Sequence, residues 1–110
     1  MVTVYISSPY TKGDQAVNVR NQMVTTDELM DKGYCAIAPL YTHFQHMFRP
    51  RGYEDWMKVD LELLGRADVV LRLPGESLGA DREVEHADDL GIPVAYSMED
   101  LESMDVRQRM

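Results

Sequence analysis

A chain of 110 residues can bury one hydrophobic core but is too short for separate catalytic and cofactor domains, so we expect a single domain over 1–110. Its 45% hydrophobic and 27% charged residues are typical of globular domains, and the formal net charge of −8 argues against a nucleic-acid polymer as partner. The single cysteine, Cys35, excludes an internal disulfide and a multi-cysteine metal site. The first apolar run, 2–6, is too short for a signal peptide or a membrane-spanning helix, which favours a cytoplasmic protein without membrane contact.

The predicted elements alternate between strand and helix along the chain. Short apolar runs predict buried strands, and the longer polar stretches between them predict helices. The predicted strands are 2–6, 35–39, 67–73 and 92–96, and the predicted helices are 14–32, 54–66, 80–90 and a short one over 98–104. Repeated βα units indicate one α/β domain that is Rossmann-like (flavodoxin-like), with a parallel sheet of four to five strands and helices on both faces.

Three connecting segments follow the carboxyl ends of predicted strands, where open parallel sheets bind their ligands. These segments are 7–14, 40–53 and 74–79. The second has no helical or strand period, and it is long for an inert connection. Its aromatic and histidine side chains, with Trp56 beyond it, predict a pocket wall; the alternative is that Phe44, Phe48 and Trp56 complete the core.

Two acidic side chains are predicted to face inward from their helices. At ~100° per residue, Asp60 and Glu83 each fall on the apolar stripe of an amphipathic helix. The stripe around Asp60 is formed by Trp56, Met57, Leu63, Leu64 and Ala67, and the stripe around Glu83 by Ala80, Val84, Ala87 and Leu90. Glu85, by contrast, points to solvent.

A buried carboxylate is costly unless it is paired, hydrogen-bonded or catalytic, so these positions indicate a site. Two carboxylates that face one cleft suit glycosyl transfer, in which one attacks or stabilises the sugar and the other handles protons. The alternative of a structural acid, which caps a loop or pairs with an arginine, stays open on helix geometry alone.

The chain resembles the nucleoside 2-deoxyribosyltransferase-like superfamily, especially its 2′-deoxynucleoside 5′-monophosphate N-hydrolases. The resemblance covers nearly the whole chain and rests on Tyr5 in the first strand, Asp60 eight residues before Asp68, and SLGADRE ending in Glu83. It implies that Glu83 forms a glycosyl-enzyme intermediate. It also implies that Asp60 positions the sugar hydroxyls or moves a proton, and that Tyr5 lies beside the nucleophile.

The resemblance also implies the substrate, a nucleoside or nucleoside 5′-monophosphate whose base–sugar bond is hydrolysed. Relatives that act on nucleosides carry an acid where Ser77 stands, so Ser77 and Gly79 at a helix N-terminus favour a phosphate, although SLG can equally be a plain helix cap. The remaining binding residues implied are Ser7, Ser8, Pro9 and Tyr10 in the first loop, with His43 and Trp56 against the base. Because the first loop lacks the arginine of its relatives, Ser8 and Lys12 are expected to replace it.

No cofactor and no metal are expected, because His43 and His46 have no third ligand at a suitable spacing. A homodimer is expected, since one small sheet encloses a nucleotide poorly, and Ser103 is a candidate for a serine donated by the partner subunit. Two other functions stay open. One is a deoxyribosyltransferase that exchanges bases, and the other is a non-catalytic nucleotide-binding module.

Overall fold

The computed structural model describes residues 1–104, and its centre is a four-stranded sheet. The strands are β1 (Thr3–Ser7), β2 (Cys35–Ile37), β3 (Val69–Arg72) and β4 (Val94–Ala95), in the order β2-β1-β3-β4. Every neighbouring pair is parallel, with Val4 of β1 opposite both Ala36 and Val69. The predicted parallel α/β sheet is therefore confirmed.

Helices connect the strands, as the alternating pattern predicts. Within the described residues they are α1 (Gln15–Asp31), α2 (Thr42–Phe48), α3 (Tyr53–Leu64), α4 (Leu78–Leu90) and α5 (Met98–Ser103), with a 3₁₀ turn over Pro39–Tyr41 before α2. Polar caps determine where three of them begin: Asp14, Ser77 and Ser97 each accept a hydrogen bond from a backbone N–H in the first turn. None of the helices in 1–104 is both long and apolar enough to cross a membrane.

The core lies on both faces of the sheet because side chains alternate along β1. Val4 and Ile6 pack with Leu29 of α1 and Leu101 of α5 on one face. On the other face, Tyr5 packs in a cluster with residues of α3 and α4 that includes Leu64 and Ala87. The predicted cover of helices on both faces is confirmed, and β1 presents its odd-numbered side chains to α3 and α4.

The segment 40–53 is not the irregular connection that the sequence predicts. It contains the end of the 3₁₀ turn and all of α2, none of whose residues is buried. A helix without a buried face has no apolar period, so the hydrophobic pattern of the sequence does not predict it. Phe44 and Phe48 are 59% and 89% exposed, so neither completes the core.

Two further expectations about burial are wrong. Cys35 begins the predicted buried strand 35–39 but is exposed, at the start of the edge strand β2. Leu90 is predicted on the buried stripe of α4, yet it is 51% exposed as the last residue of that helix. Gly91 follows it with a φ of 73°, a left-handed conformation that ends the helix and favours glycine.

Candidate active site

A cavity of about 280 Å³ opens at the carboxyl end of β1. Its wall is formed by the first loop, α1, the segment from Pro39 to Tyr53, α3 and the first turns of α4. The lining residues include most of the residues predicted for the site: Ser8, Tyr10, His43, Trp56, Asp60, Ser77, Gly79 and Glu83. Tyr41, Phe44 and Phe48, which the sequence also offers as stacking surface, do not line it.

Glu83 is a buried carboxylate held by two hydroxyl groups of β1. The side chain is 5% exposed. Ser7 donates a hydrogen bond from Oγ to Glu83 Oε1 at 2.9 Å, and Tyr5 donates from its phenol to Oε2. Tyr5 and Ser7 are two residues apart on one strand and therefore face the same helix. The strand thus fixes both oxygens of the carboxylate.

Burial and hydrogen bonding act on Glu83 in opposite directions. Burial raises the pKa of Glu83 above its ordinary value, and the hydrogen bonds from Tyr5 and Ser7 and the positive charge of Arg72 offset only part of this rise. The pKa of Tyr5 is raised, first by burial and then by the charges of Glu83 and Asp60. Tyr5 therefore keeps its proton and acts as a donor to Glu83.

Asp60 is the second acid of the cavity, and its environment is different. Its Oδ1 is buried and has no hydrogen-bond partner within the described residues. Burial, followed by the charge of Glu83, raises its pKa to about 7. A carboxyl group with this pKa can give or take a proton near neutral pH, as general acid–base catalysis requires.

The first loop is held to the rest of the cavity by Gln22, a residue that the sequence analysis does not select. Gln22 is fully buried in α1. Its Nε2 donates to Ser8 Oγ at 2.8 Å, and its Oε1 accepts from the Leu40 N–H at 2.8 Å. The sequence feature that could have identified Gln22 as an inward-facing residue is its helical spacing. It lies three residues after the buried Val19 and seven before the buried Leu29.

Tyr10 and His43 form a pair on the cavity wall. The Tyr10 hydroxyl lies 2.6 Å from His43 Nδ1, and the two rings meet edge to face. Pro9, by contrast, does not line the cavity but packs against the loop that follows β3. Gly75 in that loop has a φ of 120°, and a Cβ there would lie 2.8 Å from Pro9 Cγ.

A second histidine, His46, also lines the cavity and is not among the predicted binding residues. Its Nδ1 accepts hydrogen bonds from Trp56 Nε1 at 3.1 Å and from the Arg51 backbone N–H at 3.2 Å. Arg51 is also among the residues that line the cavity. The sequence shows His46 only as a weak metal candidate, because its partners come from a different helix and a later turn.

Ser77 and Gly79 begin α4 beside the cavity. The Ser77 hydroxyl accepts from the Ala80 N–H at 3.1 Å, so its own proton stays available for donation. Gly79 lies in the first turn, where backbone N–H groups have no partner within the helix. Lys12, which the sequence offers as a phosphate ligand, forms an exposed ion pair with Glu76.

Other candidates of the sequence analysis lie apart from this cavity. Ser103 is exposed on α5 and donates to the Asp100 carbonyl of its own helix. Glu85 is exposed on α4, as its helical position predicts. Residues 1–104 contain no group of three or more His, Cys, Asp or Glu side chains arranged to hold a metal ion.

Comparisons with known proteins identify a family and a fold. Residues 2–97 match a family model described as a domain of unknown function, DUF7768. A solved 2-deoxyribosyltransferase from the psychrotolerant bacterium Bacillus psychrosaccharolyticus superposes with a TM-score of 0.63 at 18% identity, over 98% of this chain and 90% of that one. At this identity the likeness establishes a common fold. No curated protein matches the sequence significantly.

Proposed function

We propose that this chain, which belongs to the DUF7768 family, hydrolyses the N-glycosidic bond of nucleoside 5′-monophosphates. The observation that carries the proposal is a buried Glu83, held by Tyr5 and Ser7, in a cavity with an Asp60 oxygen that has no partner among residues 1–104. The products are a free base and ribose or deoxyribose 5-phosphate.

In this reaction Glu83 is the nucleophile. Its carboxylate attacks the anomeric carbon, the carbon–nitrogen bond to the base breaks, and a glycosyl ester forms. The hydrogen bonds from Tyr5 and Ser7 support this role because they favour the ionised, attacking form and fix its direction. Water then hydrolyses the ester and restores Glu83.

Asp60 serves the proton transfers of both steps. The departing base takes a proton, and the attacking water later loses one. With a pKa raised to about 7, Asp60 can be the donor in the first step and the acceptor in the second. Two carboxyl groups with different environments are the usual arrangement of retaining glycosidases.

The phosphate is assigned to the start of α4. The Ser77 hydroxyl and the free N–H groups of the first turn, including that of Gly79, are donors suited to an anion. Arg51, a positively charged residue, also lines this cavity. These local donors allow a chain with a net charge of −8 to bind a small anion.

A homodimer is part of the proposal. The cavity of about 280 Å³ lies at the lower limit of ligand pockets, which are typically ~300–1,000 Å³. Beside it, α2 exposes Phe44, Met47 and Phe48, and the adjoining Tyr41 is 62% exposed. A second copy that covers this apolar surface would remove it from water and enclose the substrate further.

A transferase that passes the sugar to a second base is the alternative, favoured by the fold shared with a 2-deoxyribosyltransferase. Its first step would be the same attack by Glu83, and only the acceptor of the sugar would differ. A nucleotide-binding module without turnover is the remaining alternative, and it would have no use for a buried carboxylate beside Asp60.

The test is incubation with a panel of nucleosides and nucleoside monophosphates, followed by chromatography of the free bases. Base release without an acceptor supports hydrolysis, and release that requires a second base supports transfer. Binding without release in either condition would leave only the binding module. Glu83→Gln supplies the inactive reference, and Glu85→Gln, on the exposed face of the same helix, is its matched control.

A further inference from the structure

We propose that His46 selects the base of the substrate. Its Nε2–H donates a hydrogen bond to an oxo group on the edge of the base that points away from the sugar. The inference rests on the proposed function, because it assumes that the cavity receives a nucleotide. It predicts a preference for 6-oxopurines over adenine and for uracil or thymine over cytosine.

The hydrogen bonds of His46 determine its tautomer. Both Trp56 Nε1 and the Arg51 backbone nitrogen are donors, and both donate to His46 Nδ1. A nitrogen that accepts from two N–H groups carries no proton, so the proton of the neutral ring lies on Nε2. His46 therefore offers a donor of fixed identity.

This donor is available to a ligand. His46 lines the cavity and is half-buried. Its Nε2 has no hydrogen-bond partner within residues 1–104. This atom is also not one of the fully buried side-chain atoms of these residues that lack a partner, so it is accessible. A ligand in the cavity can therefore accept from Nε2 without displacing a protein contact.

The order of the side chains places His46 at the base end of the cavity. Glu83 sets the position of the anomeric carbon, and Ser77 sets that of the phosphate. Trp56 lies one turn before Asp60 on α3, ~5–6 Å further along the helix surface. His46 packs edge to face against Trp56, with ring centroids 5.9 Å apart, and so lies beyond the sugar site.

A donor that cannot change into an acceptor distinguishes oxo bases from amino bases, whereas a group that can rotate to present either a donor or an acceptor does not. A free side-chain amide could turn to face either an oxo or an amino group, but the amide of Gln22 is already bound at both ends. His46 Nε2–H would oppose the N–H of an amino group and leave both donors unpaired. Leaving a buried donor unpaired corresponds to a loss of ~5–150-fold in affinity.

The experiment measures binding in the Glu83→Gln background, so that turnover does not interfere. Calorimetry compares the 5′-monophosphates of deoxyinosine with deoxyadenosine, and of deoxyuridine with deoxycytidine. The oxo member of each pair is expected to bind at least ~10-fold more tightly. Equal affinities within both pairs, or no binding of any of the four nucleotides, would overturn the inference.

His46→Asn, added to that background, separates the donor from the packing. The asparagine Oδ1 occupies roughly the place of Nδ1 and can still accept from Trp56, but Nε2 is lost. The oxo preference is expected to fall to ~3-fold or less, a change that corresponds to one lost hydrogen bond. Trp56 is the single tryptophan, so an unchanged emission maximum verifies that its contact is kept. His86→Asn, on α4 outside the cavity, is the control and should retain the preference.

The two proposals fail in different ways. Base release by the parent protein without an oxo preference would refute the role of His46 and leave the hydrolase intact. An oxo preference in binding without any base release would refute the hydrolase and retain the role of His46. An oxo preference that survives in His46→Asn would assign the selection to another group and refute the inference.

Discussion

Replacing Asp60 with asparagine is expected to make the protein more stable at pH 8 while it loses activity. In the folded chain the pKa of Asp60 is raised from 3.8 to about 7, by burial and by the charge of Glu83. Between these two values the folded protein retains a proton that the unfolded chain has released, so stability falls as the pH rises. Ionisation of Asp60 thus acts against folding.

The size of the effect follows from the shift in pKa. Each unit is worth ~1.4 kcal/mol, so a shift from 3.8 to about 7 sets an upper limit of ~4 kcal/mol. Asp60 is only partly buried, and solvent screening reduces the expected difference to ~1–3 kcal/mol. Asparagine has nearly the same shape and no charge. Asp60→Asn should therefore be close to the parent protein at pH 4 and more stable by this amount at pH 8.

Urea unfolding at pH 4, 6 and 8, followed by the fluorescence of Trp56, measures the difference. Asp55→Asn, an exposed acid in the first turn of the same helix, is the control and should not be more stable than the parent protein at pH 8. In parallel, Asp60→Asn should lower kcat/KM by ~10²–10⁴-fold. If Asp60→Asn were less stable than the parent at pH 8, the carboxylate would be a stabilising structural acid and the reasoning would be wrong.

Substitutions at four other residues test the site and the assembly. Glu83→Gln should abolish base release in chromatography with an unchanged circular dichroism spectrum, and comparable activity would remove Glu83 as the nucleophile. Tyr5→Phe removes a donor that lowers the pKa of Glu83, so the acid limb of kcat/KM should move to higher pH; a limb that stays in place would contradict this. Ser77→Ala should lower kcat/KM for monophosphates ~10-fold, and Ser77→Asp more, whereas equal use of nucleosides and monophosphates by the parent would refute the phosphate assignment. Phe48→Glu should yield monomers in light scattering, and a parent protein that is an active monomer would exclude the dimer.

The sheet and the position of Glu83 could be predicted because both depend on local periodicity. Short apolar runs in the sequence predict buried strands. In a helix with one buried face, the spacing of the apolar residues predicts which side chains point inward. On that basis the sequence places Glu83 inward and Glu85 outward, and the structure has Glu83 buried and Glu85 exposed. The alternation of strands and helices was sufficient to predict parallel pairing.

Features that depend on distant partners could not be predicted. None of the residues of α2 is buried, so its sequence carries no apolar period. Cys35 is exposed because β2 is an edge strand, and strand order is a property of the whole sheet. The tautomer of His46 depends on Trp56, ten residues away, and Gln22 binds a backbone group eighteen residues away.

The two acids of the cavity are stabilised by different means, and this difference supports different roles. Glu83 receives hydrogen bonds on both oxygens, and these offset part of the rise in its pKa that burial causes. Asp60 has a buried oxygen with no donor among residues 1–104, and burial together with the charge of Glu83 raises its pKa to about 7. Without the hydroxyl groups of Tyr5 and Ser7, only the positive charge of Arg72 would oppose the effect of burial on the pKa of Glu83. In the proposed reaction, Tyr5 and Ser7 therefore favour Glu83 as the acid that attacks and leave Asp60 to carry the proton.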